Sequence, residues 1–430
     1  MNDLRAKQPE IYSLDSFDLI NPERKIFRNG IPVYLLNAGT QDIVKVDIVY
    51  FAGSSYQKQL LVARMTNNML TEGTKNYDSF SISEIMDFYG ASVHTSCFKD
   101  NAVVTLVSLS KHFKSILPVF EEIIKYPVFP DNDLRVLLNK EKADFLDSMK
   151  KVKDVASYNF NGMLFGNDHP YGKLTVFEDF DKVTSSPLKE FYKQYYNSRN
   201  CKIVISGRIS DEVLALMENY FGQDNWNDKI SDSNAERKFL INTIKTQKNV
   251  IVRDDAVQSA IRIGKPTINI LHPDFNKLVV LNTLFGGYFG SRLMNNIRED
   301  KGYTYGIYSS MISFKRSGMF YISTEVGVDV CEKAIDEIYI ELKKLRTEKV
   351  SFEELKLVKN YLLGNLLRSL DGPFAIADKF REIIDYEIDY TEFINKYIET
   401  INKTNANQLI ELAEIYFNES DMIELVVGKK

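Results

Sequence analysis

The stretch FGGYFGSRLMNNIREDKGYTYGIYSS, residues 285–310, changes residue type in an order that packing alone does not require. Gly286 and Gly287 end an apolar run of helical spacing, Gly290 and Ser291 lead into an amphipathic helix over 291–299, and Gly302 stops it before a strand. Arg298 falls near the end of that helix and Tyr305 at the opening of the strand, so a cation and a phenol meet at a helix-to-strand corner. Such a pair can hold a carbonyl oxygen by charge and hydrogen bond. Taken alone, the residues leave a plainer alternative open: Arg298 offsets the helix C-terminal dipole and pairs with Glu299 or Asp300, while Tyr305 half-packs in a sheet. The glycine cluster is not a phosphate loop, because it lacks both the Lys-Ser/Thr ending and a preceding strand.

The pattern around this stretch is written twice. In the second half a strand over 259–265 precedes a helix over 278–285, the helix 291–299, strands from 303 and 318, and helices over 330–346 and from 351. In the first half a strand from 42 precedes helical spacing over 58–70, a helix over 81–89 and two strands, ASVHTSCF and NAVVTLVSL, split by Lys99 and Asp100. A helix over 112–125 and one long helical stretch over 132–164 complete it. The ends of the halves match most closely, FYKQYYNSRNCKIVISGR (191–208) against AEIYFNESDMIELVVGKK (413–430). In each, an aromatic pair and an asparagine (Asn197, Asn418) stand at the same spacing before a strand ending in glycine (Gly207, Gly428). A polar run over 222–238 has no apolar periodicity and marks the linker, giving domains 1–228 and 236–430. The expected fold class is α+β: two duplicated domains, each a mostly antiparallel sheet packed with helices.

Composition narrows the function. A chain of 430 residues with 44% apolar and 26% charged residues is an ordinary globular protein with a large core. A net charge of -5 without long like-charge runs implies neither nucleic acid nor an anionic membrane as partner, and leaves protein or peptide. No long apolar run or signal-peptide pattern is present, and Cys97, Cys201 and Cys331 are odd in number and widely spaced. They read as reduced, buried thiols, so a cytoplasmic location is expected.

The order Gly-Gly, Ser-Arg-Leu, Ile-Arg-Glu, Gly, Tyr in the opening stretch resembles the C-terminal-half signature of the insulinase/pitrilysin-type zinc peptidases, a family that includes the mitochondrial processing peptidase subunits. The resemblance runs from about residue 29 to the C-terminus. It implies that Arg298 and Tyr305 point at the scissile peptide and are the catalytic residues of this chain. It also implies an inverted zinc motif, His-x-x-Glu-His, on the helix after the long strand. There the chain reads LLVARMTNNMLTEGTKNY, which places Arg64, Met65, Thr66, Asn67 and Asn68 on the motif. Arg64 would bring positive charge to a divalent cation, and Asn67 has no carboxylate to take a proton from water, so no metal is expected in this chain. The third ligand position of the family falls at or next to Asp144, with Glu141 one turn earlier. His94, His112, His169 and His272 share no helical ligand spacing and do not replace the site.

The segment YGASVHTSCF (89–98) is similar to the family's substrate-binding edge strand, which assigns Gly90, Ala91, Ser92, Val93 and His94 to an extended peptide added along the edge. The same residues also suit a routine half-buried strand. Most aromatic side chains, 12% of the chain, are expected in the core. The resemblance implies a divided mechanism: a homologous zinc-bearing partner in a heterodimer activates water, and this chain's Arg298 and Tyr305 bind the oxyanion. The alternative is a scaffold or peptide-binding homodimer.

Overall fold

The computed structural model describes residues 19–227 and 248–430. The first sheet is built around β3, Ile43–Tyr50, whose β-branched run IVKVDIVY is buried along nearly its whole length. Its companions are β1 (Glu23–Ile26), β2 (Pro32–Asn37), β4 (Ser92–Cys97), β5 (Ala102–Leu109) and β6 (Cys201–Gly207). They lie in the order β1-β2-β6-β3-β5-β4, antiparallel except for the parallel pair β2 and β6. The turn between β1 and β2 is the Asn29-Gly30 signal, with Gly30 at φ +90.

The second sheet holds β7 (Lys248–Val252), β8 (Gln258–Thr267), β9 (Thr304–Phe314), β10 (Ser317–Gly327) and β11 (Ile423–Gly428), in the order β7-β11-β8-β10-β9. Without its edge strand β1, the first order becomes the second when β2, β6, β3, β5 and β4 are replaced by β7, β11, β8, β10 and β9, and β7 with β11 is again the parallel pair. The chain is therefore α+β and duplicated, as its sequence repeat implies. The repeat has a structural cause: Asn197 and Asn418 each accept a backbone hydrogen bond from the residue two further on, Arg199 at 3.0 Å and Ser420 at 3.3 Å. Each such bond turns the chain from a helix into the closing strand.

The halves exchange helices. The expected single helix over 132–164 is two, Asp131–Ser148 and Val152–Phe165, because Lys151 adopts an extended conformation between them. The break redirects the second segment onto the other half's sheet, where Val155, Phe160 and Leu164 pack with Met319, Ile423, Leu425 and Val427. In return the helix Pro373–Ile384 lays Ile376, Ala377 and Phe380 in the core that contains Leu36 and Val204 of the first sheet. Burying each large apolar side chain stabilises by about 1.5–3 kcal/mol. Buried cations fix both exchanges. Lys45 on β3 bonds Asp378 at 2.5 Å, and Arg262 on β8 bonds Lys153 O and Ser157 Oγ at 3.1 and 2.9 Å.

The polar run assigned to the linker begins inside the first half's fold. Trp226 is buried, Asn225 accepts from Ser198 Oγ at 2.8 Å, and Asn227 donates to Tyr196 O at 2.9 Å. The rest of the run, and the proposed start of the second domain at 236, lie outside the described residues.

Candidate functional site

The glycines of 285–302 serve packing and turning. A Cβ on Gly286 would stand 2.6 Å from Ser309 N, so this residue lets the helix end press against β9. Gly302, at φ +67, donates to Arg298 O at 3.1 Å and closes the helix. The turn Met294–Asp300 is wound wider than an α-helix, with Lys301 N bonded to Asn296 O five residues back at 3.0 Å. Such π-type turns concentrate at functional sites, and this one carries Arg298.

The corner brings Arg298 and Tyr305 together as the sequence implied, and adds a third residue. The Arg298 guanidinium carbon lies 5.6 Å from the centroid of the Tyr305 ring and 4.5 Å from that of Phe289. Both rings stand out in solvent, Tyr305 being 94% exposed, so the half-packed tyrosine of the plainer alternative is not what the fold produces. The charge pairing of that alternative is partly present: Arg298 Nη1 lies 3.2 Å from Glu299 Oε1. It makes no hydrogen bond there, and Nη1 is shielded from solvent. A guanidinium packed beside aromatic rings leaves its other in-plane N–H groups for a ligand oxygen. Phe289 was not readable as part of this site, since an aromatic in a glycine-rich loop has no period to follow.

The residues that the resemblance assigns to the zinc motif lie on the helix Val62–Asn68. Arg64 reaches across to the helix Asp131–Ser148 and contacts both carboxylate oxygens of Glu141, at 2.9 and 2.7 Å. Asp144 is exposed one turn further on, so Glu141 is the carboxylate that faces this helix. Asn67 is fully buried, accepting from Tyr196 OH at 3.0 Å and donating to Val103 O at 3.4 Å. Asn68 accepts from Thr95 Oγ1 of β4 at 3.4 Å. The residues present do not fit zinc: a fixed positive charge neutralises the one carboxylate in reach, and both asparagines are engaged elsewhere. Among the described residues no group of three or more His, Cys, Asp or Glu is placed to hold a metal.

Beside the helix Val62–Asn68, β4 forms the outer edge of the six-stranded sheet. Gly90 caps the preceding helix at φ 61, Ala91 is buried, and Ser92, Val93 and His94 begin the edge strand with His94 exposed. Burial pushes the thiol of Cys97, at the far end of β4, up to about 12.

Family models match the chain in two places, the insulinase (peptidase family M16) model over residues 33–158 and the model described as peptidase M16 inactive domain over residues 182–362. The chain belongs to the insulinase family. Within it, the protein named uncharacterized zinc protease YmxG of Bacillus subtilis is 24% identical over 414 residues, spanning 94% of this chain and 98% of its own length. The probable inactive metalloprotease YmfF of Bacillus subtilis is 22% identical over 92% of this chain and 97% of its own. The non-peptidase homolog YmxG of Helicobacter pylori is 23% identical over 72% of this chain and 71% of its own. Among solved structures, a peptidase M16 inactive domain from Pseudomonas fluorescens superposes with a TM-score of 0.84 at 23% identity, covering 95% of this chain and 98% of that one. With a relative named probable inactive metalloprotease and a match to the inactive-domain model, this is an insulinase-family member of the inactive type. Among the described residues no helix is long and apolar enough to cross a membrane.

Proposed function

We propose that the chain is the zinc-lacking subunit of a two-chain metalloendopeptidase, and that it supplies Arg298 and Tyr305 to a homologous zinc-bearing partner. The observation that carries this reading is the contrast between the two corners. The metal position assigned by the resemblance is closed by Arg64 and Glu141 on separate helices, whereas Arg298 stands beside the exposed Phe289 and Tyr305 rings and pairs with Glu299, its neighbour in the chain, without a hydrogen bond from Nη1. The partner's zinc would activate the water that attacks a peptide carbonyl. Arg298 and Tyr305 would bind the oxyanion as it forms, and β4 would hold the extended substrate by main-chain hydrogen bonds. A cytoplasmic setting belongs to this proposal and is supported by the three unpaired thiols.

A second reading, a scaffold or peptide-binding homodimer, is favoured by the relatives named non-peptidase homolog and probable inactive metalloprotease. Isolation of the tagged chain from its native cell, followed by mass spectrometry, separates the two. An equimolar second chain with an intact His-x-x-Glu-His helix supports the divided peptidase. Recovery of this chain alone, without zinc or hydrolysis, refutes it in favour of the homodimer.

A further inference from the structure

A cavity elsewhere in the molecule is lined by none of Arg64, Glu141, Arg298 or Tyr305. This cavity of about 480 Å³ opens where the turn between β4 and β5 meets the turn between β9 and β10, at the seam between the halves. Domain seams are where ligand pockets of this size concentrate. Its walls include Phe98, Val103, Ile312 and Phe314, and Phe98 is an aromatic that the fold leaves half in solvent.

The charged groups around the cavity are almost all satisfied within the protein. Lys99 Nζ donates to Tyr171 O at 3.1 Å, and Arg381 and Glu382 pair with Asp378 and Lys379. Asp100 accepts from Ser55 Oγ, Tyr171 OH and Lys315 N at 3.2, 2.7 and 2.9 Å. The Lys315 ammonium and Asp385 Oδ1, which is buried without a hydrogen bond, are the exceptions. The ammonium lies 4.3 Å from the Phe51 ring centroid, and among the described residues it makes no ion pair. The same ring also carries Lys202 Nζ at 5.1 Å, and it is Lys202 that sits near Asp385, at 3.9 Å from Oδ1. Asp385 Oδ2 is already held by Asn101 at 2.5 Å. Two ammonium groups thus share one ring and the Asp385 carboxylate, and Lys315 has no carboxylate of its own within ion-pair distance among the described residues.

We infer that this cavity binds a small molecule with a single carboxylate on an apolar body, the carboxylate at Lys315 and the body against Phe98, Ile312 and Phe314. A free fatty acid and the C-terminus of a short apolar peptide present the same chemistry. The site does not depend on the catalytic pairing proposed above, since none of its residues belongs to that corner.

Titration calorimetry on the full chain tests it, with decanoate and acetyl-Ala-Phe as acids and decanol and the peptide amide as their neutral counterparts. At least one acid is expected to bind saturably at one per chain, with its neutral counterpart weaker by about tenfold or more. Lys315→Met and Phe98→Ser are each expected to weaken that acid by about tenfold while the melting temperature and circular dichroism stay as in the parent. The acid that binds names the source. Failure of both acids to bind, a neutral counterpart that binds as tightly, or binding unchanged by either substitution overturns the inference.

Discussion

The guanidinium of Arg64 lies 2.7 Å from the carboxylate of Glu141, on a separate helix, where the insulinase-family motif would place a metal. By the resemblance an arginine stands where the motif has a ligand, and it takes the nearby acidic residue as its own partner. Because Arg64 is 56% exposed, the pair adds little stability, and Arg64→Ala should cost no more than about 1 kcal/mol in urea unfolding.

Replacing the cation by ligands should reopen the site. Arg64→His with Asn68→His presents two imidazoles on one helical face opposite Glu141. The double variant is expected to bind zinc near one equivalent, measured by metal analysis after dialysis, while the parent binds none. Adding Glu141→Gln should abolish that binding, and adding Asp144→Asn should not. The reverse pattern would mean that Asp144 is the residue facing the helix.

Exchange of helices makes the halves interdependent. Phe160 lies in the first half's sequence but in the second sheet's core, so Phe160→Ala should cost about 3–5 kcal/mol. Unfolding followed separately in each half should shift for both together. A shift confined to one half would show that the exchanged helices do not couple them.

Stability should also fall on acidification through His169. Its ring is buried against Phe165, its Nδ1 accepts from Tyr171 N at 3.1 Å, and burial, with Arg316 and Lys99 nearby, lowers its pKa. A lowered folded pKa gives stability that is fully present above the unfolded value of about 6.5 and is lost as pH falls through the folded one. The melting temperature of the parent should therefore drop more than that of His169→Gln between about pH 7.5 and 5. Parallel profiles would rule out this linkage.

Much of this was legible in the residues. The match of 191–208 with 413–430 reflects two asparagine turns that each feed a closing strand, and side-chain period gave the strands around them. What was hidden depends on contacts distant in sequence. Nothing near Met149 signals a helix break, because neither glycine nor proline marks it; the break serves the sheet of the other half. The wide turn carrying Arg298 has no sequence period of its own, and its partner Phe289 looks like a loop residue until it stacks on the guanidinium. Glu141 and Asp144 share the helix Asp131–Ser148, and only the reach of Arg64 chooses between them.

The most direct test of the divided site is the hydrolysis rate of an internally quenched peptide by the complex isolated from native cells, with Arg298→Ala or Tyr305→Phe in this chain. The account predicts a fall of about 10²–10³ in rate, with the partner still recovered in equal amount and its zinc content unchanged. Full activity in both variants, at the same partner and zinc stoichiometry, would contradict it.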